Sequence, residues 1–193
     1  QEVVTRSVDP DGGGVQDMTL FCFDSYGLFT TTVEAKVTPT GNGAGLTGNF
    51  EAEVPENTRT VHFLANQNMS EFKEDKFRNK SEAEVMALLE GSSGRMIYWA
   101  RFTCDPDNDS KIDAQMADKG NTIKMIRNHA QVSIDNPING WIEVTGFVAY
   151  NTNAFGTVAP YHPEKGFDFE WPGEDDPFVT LPQNDARMSD ITD

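Results

Sequence analysis

The chain has 193 residues, of which 37% are hydrophobic and 24% are charged, enough for one folded domain with polar loops. Its 31 acidic and 15 basic residues give a net charge of −16 at pH 7. A field of that sign repels phosphate backbones and anionic lipids, which argues against nucleic acid or an anionic membrane surface as a partner. No run approaches the roughly 20 apolar residues of a membrane span.

The first part of the chain is predicted to form a leader and then strands. Residues 1–14, ending in DPDGGG, have the composition of a flexible leader. The run MTLFCFD, residues 18–24, is apolar at odd and even positions, which predicts a strand buried on both faces. Residues 28–37, rich in threonine and valine, are its expected partner after a turn at 25–27. The glycine loop 41–48 lacks the spacing of a phosphate-binding loop.

Two alternating runs follow. Residues 49–55 and 58–66 switch between apolar and polar side chains, so each is predicted to be a half-buried strand. The turn sequence PENT between them favours a hairpin. On this alternation His62 falls with Thr60 on the polar side, and we expect a solvent-facing or hydrogen-bonded histidine.

One clear helix is predicted next. Ser81 and Glu84 form an S-x-x-E capping box, and Gly91 is placed to end the helix. A weaker helical turn is expected within residues 68–77. The apolar stripe of the clear helix consists of three side chains: Val85, Leu88 and Leu89.

The rest of the chain returns to strands. Residues 95–104, 122–135 and 141–151 are predicted strands, with a short helix around Gln115 in the polar loop 105–121. About seven short strands with one or two inserted helices predict a mainly β chain, an antiparallel β-sandwich at residues 15–163. Residues 164–193 hold nine acids and two bases, which indicates a solvated linker.

A polar triplet in the strand 122–135 looks at first like a chemical site. Period-two alternation places Arg127 and His129 on the outer face and Asn128 on the core face. The three side chains therefore cannot converge on one substrate. Asn128 must instead find hydrogen-bond partners on the buried side.

The loop DPDNDSKID, residues 105–113, resembles the start of a calcium-binding loop. Asp105, Asp107 and Asp109 have the alternate spacing of hard-cation ligands. Ser110 stands where the motif requires glycine, and Met116 stands where it requires a bidentate glutamate. A weak metal site and an acidic surface loop are both consistent with this pattern, and the loop is the better fit.

No reaction chemistry stands out among the histidines and cysteines. His62, His129 and His162 are too scattered for a metal motif, and no nucleophile–base signature accompanies them. Cys22 and Cys104 could form a disulfide in an oxidising compartment, or could be two separate core residues. The sequence therefore predicts neither an enzyme nor a bound cofactor.

The aromatic side chains leave two interpretations open. Trp99, Trp141 and Trp171 could form part of an exposed surface that stacks on sugars, or could fill the core of a sandwich. The first interpretation predicts an alternative function for the chain, that of a surface glycan-binding module.

Four segments carry a resemblance to a known family. They are MTLFCFDSYGLF, TRTVHFLANQN, MIRNHAQVSI and GFVAYNTNAFGTVAPY, and together they extend over residues 16–161. In these segments the chain resembles the N-terminal domain of Bacteroidales fimbrillins, the subunits of type V pili. The last two segments are the more distinctive, and none of the four is a catalytic motif.

The resemblance implies a transthyretin-like β-sandwich, export through the periplasm, and a cell-adhesive structural role in fimbriae at the outer membrane. It also implies proteolysis after an arginine near the N-terminus, for which Arg6 is the candidate. The partners would then be other fimbrial subunits that associate by strand addition, with host or bacterial surface ligands as further partners. The residues expected to belong to a removable or exchanged strand are Val3, Val4 and Val8.

The chain departs from the family pattern in two respects. It has no lipobox cysteine, so membrane attachment would require a lipid anchor absent from this chain. Family members usually carry a second β-sandwich, for which the chain is too short. Residues 164–193 are then either an acidic linker or the start of a missing C-terminal domain, with FVTLP as a candidate opening strand.

Overall fold

The computed structural model describes residues 14–40, 47–67, 69–70, 72–92, 96–128, 155–159 and 166–167. Six strands form one curled antiparallel sheet: β1 (Met18–Phe23), β2 (Phe29–Thr40), β3 (Thr47–Glu51), β4 (Thr60–Ala65), β6 (Tyr98–Thr103) and β7 (Ile126–Arg127). Their order is β3-β2-β1-β4-β6-β7. A separate pair joins β5 (Glu90–Ser92) to β8 (Phe155–Thr157). The helices are a 3₁₀ turn (Glu74–Lys76), α1 (Glu82–Ala87) and α2 (Ile112–Asp118). The predicted mainly β chain with few short helices is confirmed.

Strand β1 lies inside the sheet and is buried at all six positions, as its apolar run predicts. It pairs with β2 through a tight turn in which the carboxylate of Asp24 accepts the backbone N–H groups of Tyr26 (2.8 Å) and Leu28 (3.0 Å). Gly27 in this turn has φ +70°, a conformation that other residues rarely adopt. The predicted partnership between these two strands is confirmed.

The predicted hairpin between residues 49–55 and 58–66 is wrong. Strand β3 pairs with β2, whereas β4 pairs with β1 on the other side, so two strands separate them. Alternation predicted strands but could not identify their neighbours. All six residues of β4 are buried, because its supposedly polar side faces a second part of the core.

Helix α1 begins as its capping box predicts. The Ser81 hydroxyl accepts the Glu84 N–H, and the Glu84 carboxylate accepts the Ser81 N–H at 2.8 Å. The predicted end at Gly91 is wrong, since the helix stops at Ala87 and Gly91 lies in β5. Because the helix is so short, Leu88 leaves the apolar stripe and is 42% exposed, while Met86 is buried instead.

The two faces of the sheet carry different side chains. One, the aromatic face, consists of Phe21, Phe23, Phe29, Leu64, Phe77, Val85, Met86, Leu89, Ile97, Trp99, Val158, Ala159 and Phe167. The other, the cysteine face, consists of Met18, Leu20, Cys22, Val61, Phe63, Ala100, Phe102, Cys104 and Ile112. Burying each large apolar side chain contributes about 1.5–3 kcal/mol, so both faces stabilise the sheet.

Both thiols on the cysteine face are free and buried. Strand β4 lies between β1, which carries Cys22, and β6, which Cys104 follows. Two strand spacings place the Cα atoms roughly 9–10 Å apart or more, and a disulfide requires less than about 7 Å. Of the two interpretations left open by the sequence, this arrangement favours separate core residues.

Candidate functional site: a buried histidine–carboxylate network

The most polar cluster in the described core is centred on His62. Strand β4 holds this residue opposite Phe21 of β1 and Arg101 of β6, and its side chain is completely buried. Its predicted placement on a polar, solvent-facing side is wrong, because the aromatic face covers it. The expected alternative, a hydrogen-bonded histidine, is correct.

The hydrogen bonds of His62 determine its tautomer. The Trp99 indole N–H donates to Nδ1 of His62 at 3.0 Å, so Nδ1 must carry a lone pair. The ring proton is then on Nε2, which donates to Oε2 of Glu82 at 2.9 Å. A proton on Nδ1 would face the indole N–H donor directly, so this geometry requires a neutral imidazole. Burial likewise lowers the pKa of His62, against the opposing influence of Glu82.

The carboxylate of Glu82 accepts hydrogen bonds from two side chains, those of His62 and Arg101. Nε of Arg101 donates to Oε2 at 2.7 Å, and Nη2 of Arg101 lies 3.3 Å from Oε1. Burial by itself raises the pKa of Glu82, but the hydrogen bonds from His62 and Arg101 outweigh it and lower the pKa to about 2. The carboxylate and the guanidinium therefore form an ionised pair beside a neutral histidine.

Three aromatic rings surround the imidazole. Phe23 and Phe167 meet it edge to face, with ring centroids 5.4 Å and 4.7 Å away, and the Trp99 ring lies 5.8 Å away. These rings help to bury the histidine completely, and the low local polarity strengthens the hydrogen bonds of the network.

A carboxylate that accepts from a histidine also occurs in the base-orienting half of a catalytic triad. Here the position of the nucleophile is occupied by the Trp99 indole N–H, which is a donor and uses the only free lone pair of His62. This arrangement holds the imidazole in one orientation but leaves it no lone pair with which to accept a proton. The network connects three elements, β4, β6 and α1.

A second polar cluster organises the acidic loop 105–110. The buried side chain of Gln115 accepts the Asp105 N–H at 2.7 Å. Its amide NH₂ donates to the carbonyls of Asn108 (3.0 Å) and Ser110 (2.9 Å). Arg59 also donates to the Ser110 carbonyl, at 2.9 Å. The backbone carbonyl oxygens of this loop that could ligate a cation thus accept hydrogen bonds from protein side chains.

The three candidate calcium ligands are all exposed. Asp105 accepts the Asp107 N–H at 2.9 Å, which closes a local turn in the loop. Among the described residues, no group of three or more His, Cys, Asp or Glu side chains is placed to hold a metal ion. The geometry of Asp105, Asp107 and Asp109 is that of an acidic surface loop.

The glycan hypothesis loses one of its three residues. Trp99 is only 1% exposed and its N–H is bonded to His62, so it presents no surface to a sugar. The reason is that its side chain packs into the buried cluster of the aromatic face. Trp141 and Trp171 lie outside the described residues, as do Arg6 and three candidates of the exchanged strand, Val3, Val4 and Val8.

Two asparagines join segments that enter the sheet. Asn128 does have the buried-side partner that the sequence requires, since its Oδ1 accepts the Ile97 N–H at 2.8 Å and its own N–H donates to the Ile97 carbonyl at 2.9 Å. No comparable signal in the sequence pointed to Asn66, which has φ +63°. Its side chain accepts the Gln16 N–H and donates to the Gly14 carbonyl, each at 2.8 Å.

Sequence reasoning also missed the partners of His62. Arg101 is a charged residue in the otherwise apolar run IYWARF, a signal for a buried ionic partner. Glu82 could not be identified from the sequence, because it is remote in the chain and stands among other acids after Ser81.

Comparison with known proteins gives no match to this chain among protein-family models, curated proteins or solved structures. Within the part of the chain that the structure describes, no helix has the length and apolar character needed to cross a membrane.

Proposed function

We propose that this chain is a structural, non-enzymatic subunit of surface fimbriae of the fimbrillin type, which assembles by strand addition and takes part in cell adhesion. The proposal rests on the four segments that resemble this family and on an open sheet edge. Strand β3 ends the sheet, and no described strand pairs with its outer side. That edge is the observation that carries the proposal.

The backbone of β3 offers hydrogen-bonding groups to an incoming strand. The N–H of Thr32 points away from β1, because it donates to Glu74. Alternation along β2 then directs Lys36 and Thr38 toward their partners in β3, Glu51 and Asn49. The N–H groups of Gly48 and Phe50 consequently face outward, where an added strand would bind.

Apolar side chains beside this edge supply contacts for alternate residues of an added strand. Val37 and Phe50 are opposite each other, and both are half-buried against the cysteine face. Ala52 and Val54 continue this half-buried strip beyond the end of β3. Strand addition requires such a combination of backbone edge and side-chain pockets.

The same half-buried strip supports the finer fold proposal, a transthyretin-like β-sandwich of about seven strands. A second layer over the cysteine face would remove these side chains from water. Export through the periplasm and attachment to the outer membrane by a lipid anchor belong to the same proposal.

Proteolysis after Arg6 is compatible with a stable domain. The first contacts of the described fold are those of Asn66 with Gly14 and Gln16, which lie beyond the proposed cleavage point. Removing residues 1–6, including Val3 and Val4, therefore leaves this attachment in place.

The test is to mix protein cleaved after Arg6 with a peptide of residues 1–9 as the donor strand. We expect polymerisation, or a peptide-dependent rise in melting temperature. Gly48→Pro removes one outward N–H group and should abolish the effect. The proposal fails if cleaved native protein neither polymerises nor gains thermal stability, or if Gly48→Pro responds to the same extent.

A further inference from the structure

Phe167 lies in the acidic stretch 164–193, yet its side chain is only 6% exposed. Its ring meets the His62 ring at 4.7 Å and 83°, and the Trp99 ring at 6.2 Å and 40°. The guanidinium carbon of Arg101 lies over the ring, 5.8 Å from its centroid. Three side chains from two neighbouring strands thus surround one phenyl ring.

These contacts select an aromatic ring rather than apolar volume alone. Edge-to-face packing and the cation over the ring both depend on the ring quadrupole, which an aliphatic side chain lacks. Gly166 precedes the ring with φ +63°, where an L side chain is rarely found. The site therefore matches a glycine followed by an aromatic residue.

Hydrogen bonds to residues other than Phe167 hold the walls of this site. His62 is fixed by Trp99 and Glu82, and Arg101 is fixed by Glu82. None of these bonds involves Phe167. The pocket is accordingly preorganised, which lowers the cost of binding a ring supplied from elsewhere.

We propose that His62, Trp99 and Arg101 form a docking site for an aromatic side chain carried by an acidic segment. In this chain the site is filled by Phe167, and the same segment of a second copy can fill it when the resident ring is missing. Exchange of an identical element between copies is a low-cost route to association. The inference is independent of assembly by strand addition.

The test uses the full chain with Phe167→Ala and a peptide of residues 164–172, EKGFDFEWP, followed by calorimetry and thermal melting. We expect saturable binding of one peptide per chain and a higher melting temperature for the variant. The native chain should bind at least tenfold more weakly, because its own ring occupies the site.

Two controls make the result specific. A peptide with alanine in place of Phe167 retains Phe169 and Trp171, and we expect it not to bind. The Phe72→Ala chain loses a different ring that packs against the aromatic face, and it should not bind the peptide more tightly than the native chain does. If Phe167→Ala does not fold, Phe167→Leu keeps apolar volume without the ring and should bind the peptide in its place. The proposal is overturned if the folded variant shows no saturable binding, or if the altered peptide binds equally well.

Discussion

The two faces of the sheet bury polar groups by different means. On the aromatic face a carboxylate, a guanidinium and a neutral imidazole form one connected network. On the cysteine face the polar groups are neutral: two protonated thiols, and the amide of Gln115, which satisfies a loop. Stability of the first face should depend on charge and pH, and stability of the second should not. Single substitutions on each face, followed by measurements of stability, test this difference.

The largest expected effect comes from Glu82→Gln. This change leaves Arg101 without its half-buried counter-ion and removes the charged acceptor of His62. Removing one partner of a fully buried ion pair costs about 3–5 kcal/mol, and the partial exposure of Glu82 and Arg101 places the expected loss at the lower end of that range. Urea denaturation, followed by circular dichroism, should show the loss as a lower midpoint.

Glu56→Gln is the matched control for that change. Glu56 also accepts from a cation, Lys111 at 2.6 Å, but its side chain is 83% exposed. We expect its midpoint to equal that of the native protein, since exposed ion pairs contribute little. Equal midpoints for Glu82→Gln and the native protein would contradict the network.

Acid should destabilise the aromatic face next most strongly. In the unfolded chain His62 takes up a proton below about pH 6.5, and the native imidazole does not until lower pH, because its pKa is lowered. Glu82 has a usual pKa of 4.5, lowered to about 2 in the fold, a difference of on the order of 3 kcal/mol. The unfolded state binds more protons, so stability should fall as the pH drops from 6.5 to 2.

Urea midpoints at pH 7.5, 5.5 and 3.5 measure this dependence. Acid also weakens the self-repulsion of a chain with net charge −16, and this effect stabilises the fold as the pH falls. The Glu82→Gln variant shares that effect and therefore provides the reference. Below pH 4.5 the native protein should lose stability faster than the variant. If the stabilities of the native protein and of Glu82→Gln fall in parallel with pH, Glu82 is not an ionised carboxylate in the fold.

The sequence predicted local structure much better than it predicted which segments are neighbours in the fold. The capping box of Ser81 and Glu84 and the doubly buried β1 depend on adjacent residues, and both are correct. The pairing of β4 and the burial of His62 depend on which strands flank them, information that alternation does not contain. Asn128 is intermediate, because its need for a partner could be predicted but Ile97 could not.

A smaller loss should follow Gln115→Ala on the cysteine face. The change removes three hydrogen bonds to the loop backbone and leaves buried polar groups unsatisfied, at a cost of about 2–3 kcal/mol. The loss should be the same at pH 7.5 and 5.5, in contrast to that of the aromatic face. Urea midpoints at both values measure it.

Asp109→Ala, in the same loop, serves as the control for Gln115. Asp109 is exposed, and its substitution should change the native stability by less than about 0.5 kcal/mol. Calcium should leave both melting temperatures unchanged. A calcium-dependent rise that is lost in Asp109→Ala would instead establish the metal site.

The smallest effect concerns reactivity alone. Burial raises the pKa of the Cys22 thiol to about 11, and burial also raises the pKa of Cys104. Neither thiol should react with a disulfide reagent at pH 8 while the protein is folded, and both should react in urea. Rapid labelling of the folded chain would show that the cysteine face is open to solvent.

The protonation state of His62 tests the central claim most directly, namely that the aromatic face holds a neutral imidazole between the Trp99 donor and the Glu82 acceptor. Two-bond ¹H–¹⁵N correlation spectra of the ¹⁵N-labelled chain report on each ring nitrogen separately. At pH 7 we expect a protonated Nε2 and an unprotonated Nδ1, a state that should persist below the usual histidine pKa of about 6.5. A histidine resonance from the core that titrates near pH 6.5, or a proton on Nδ1, would contradict the account.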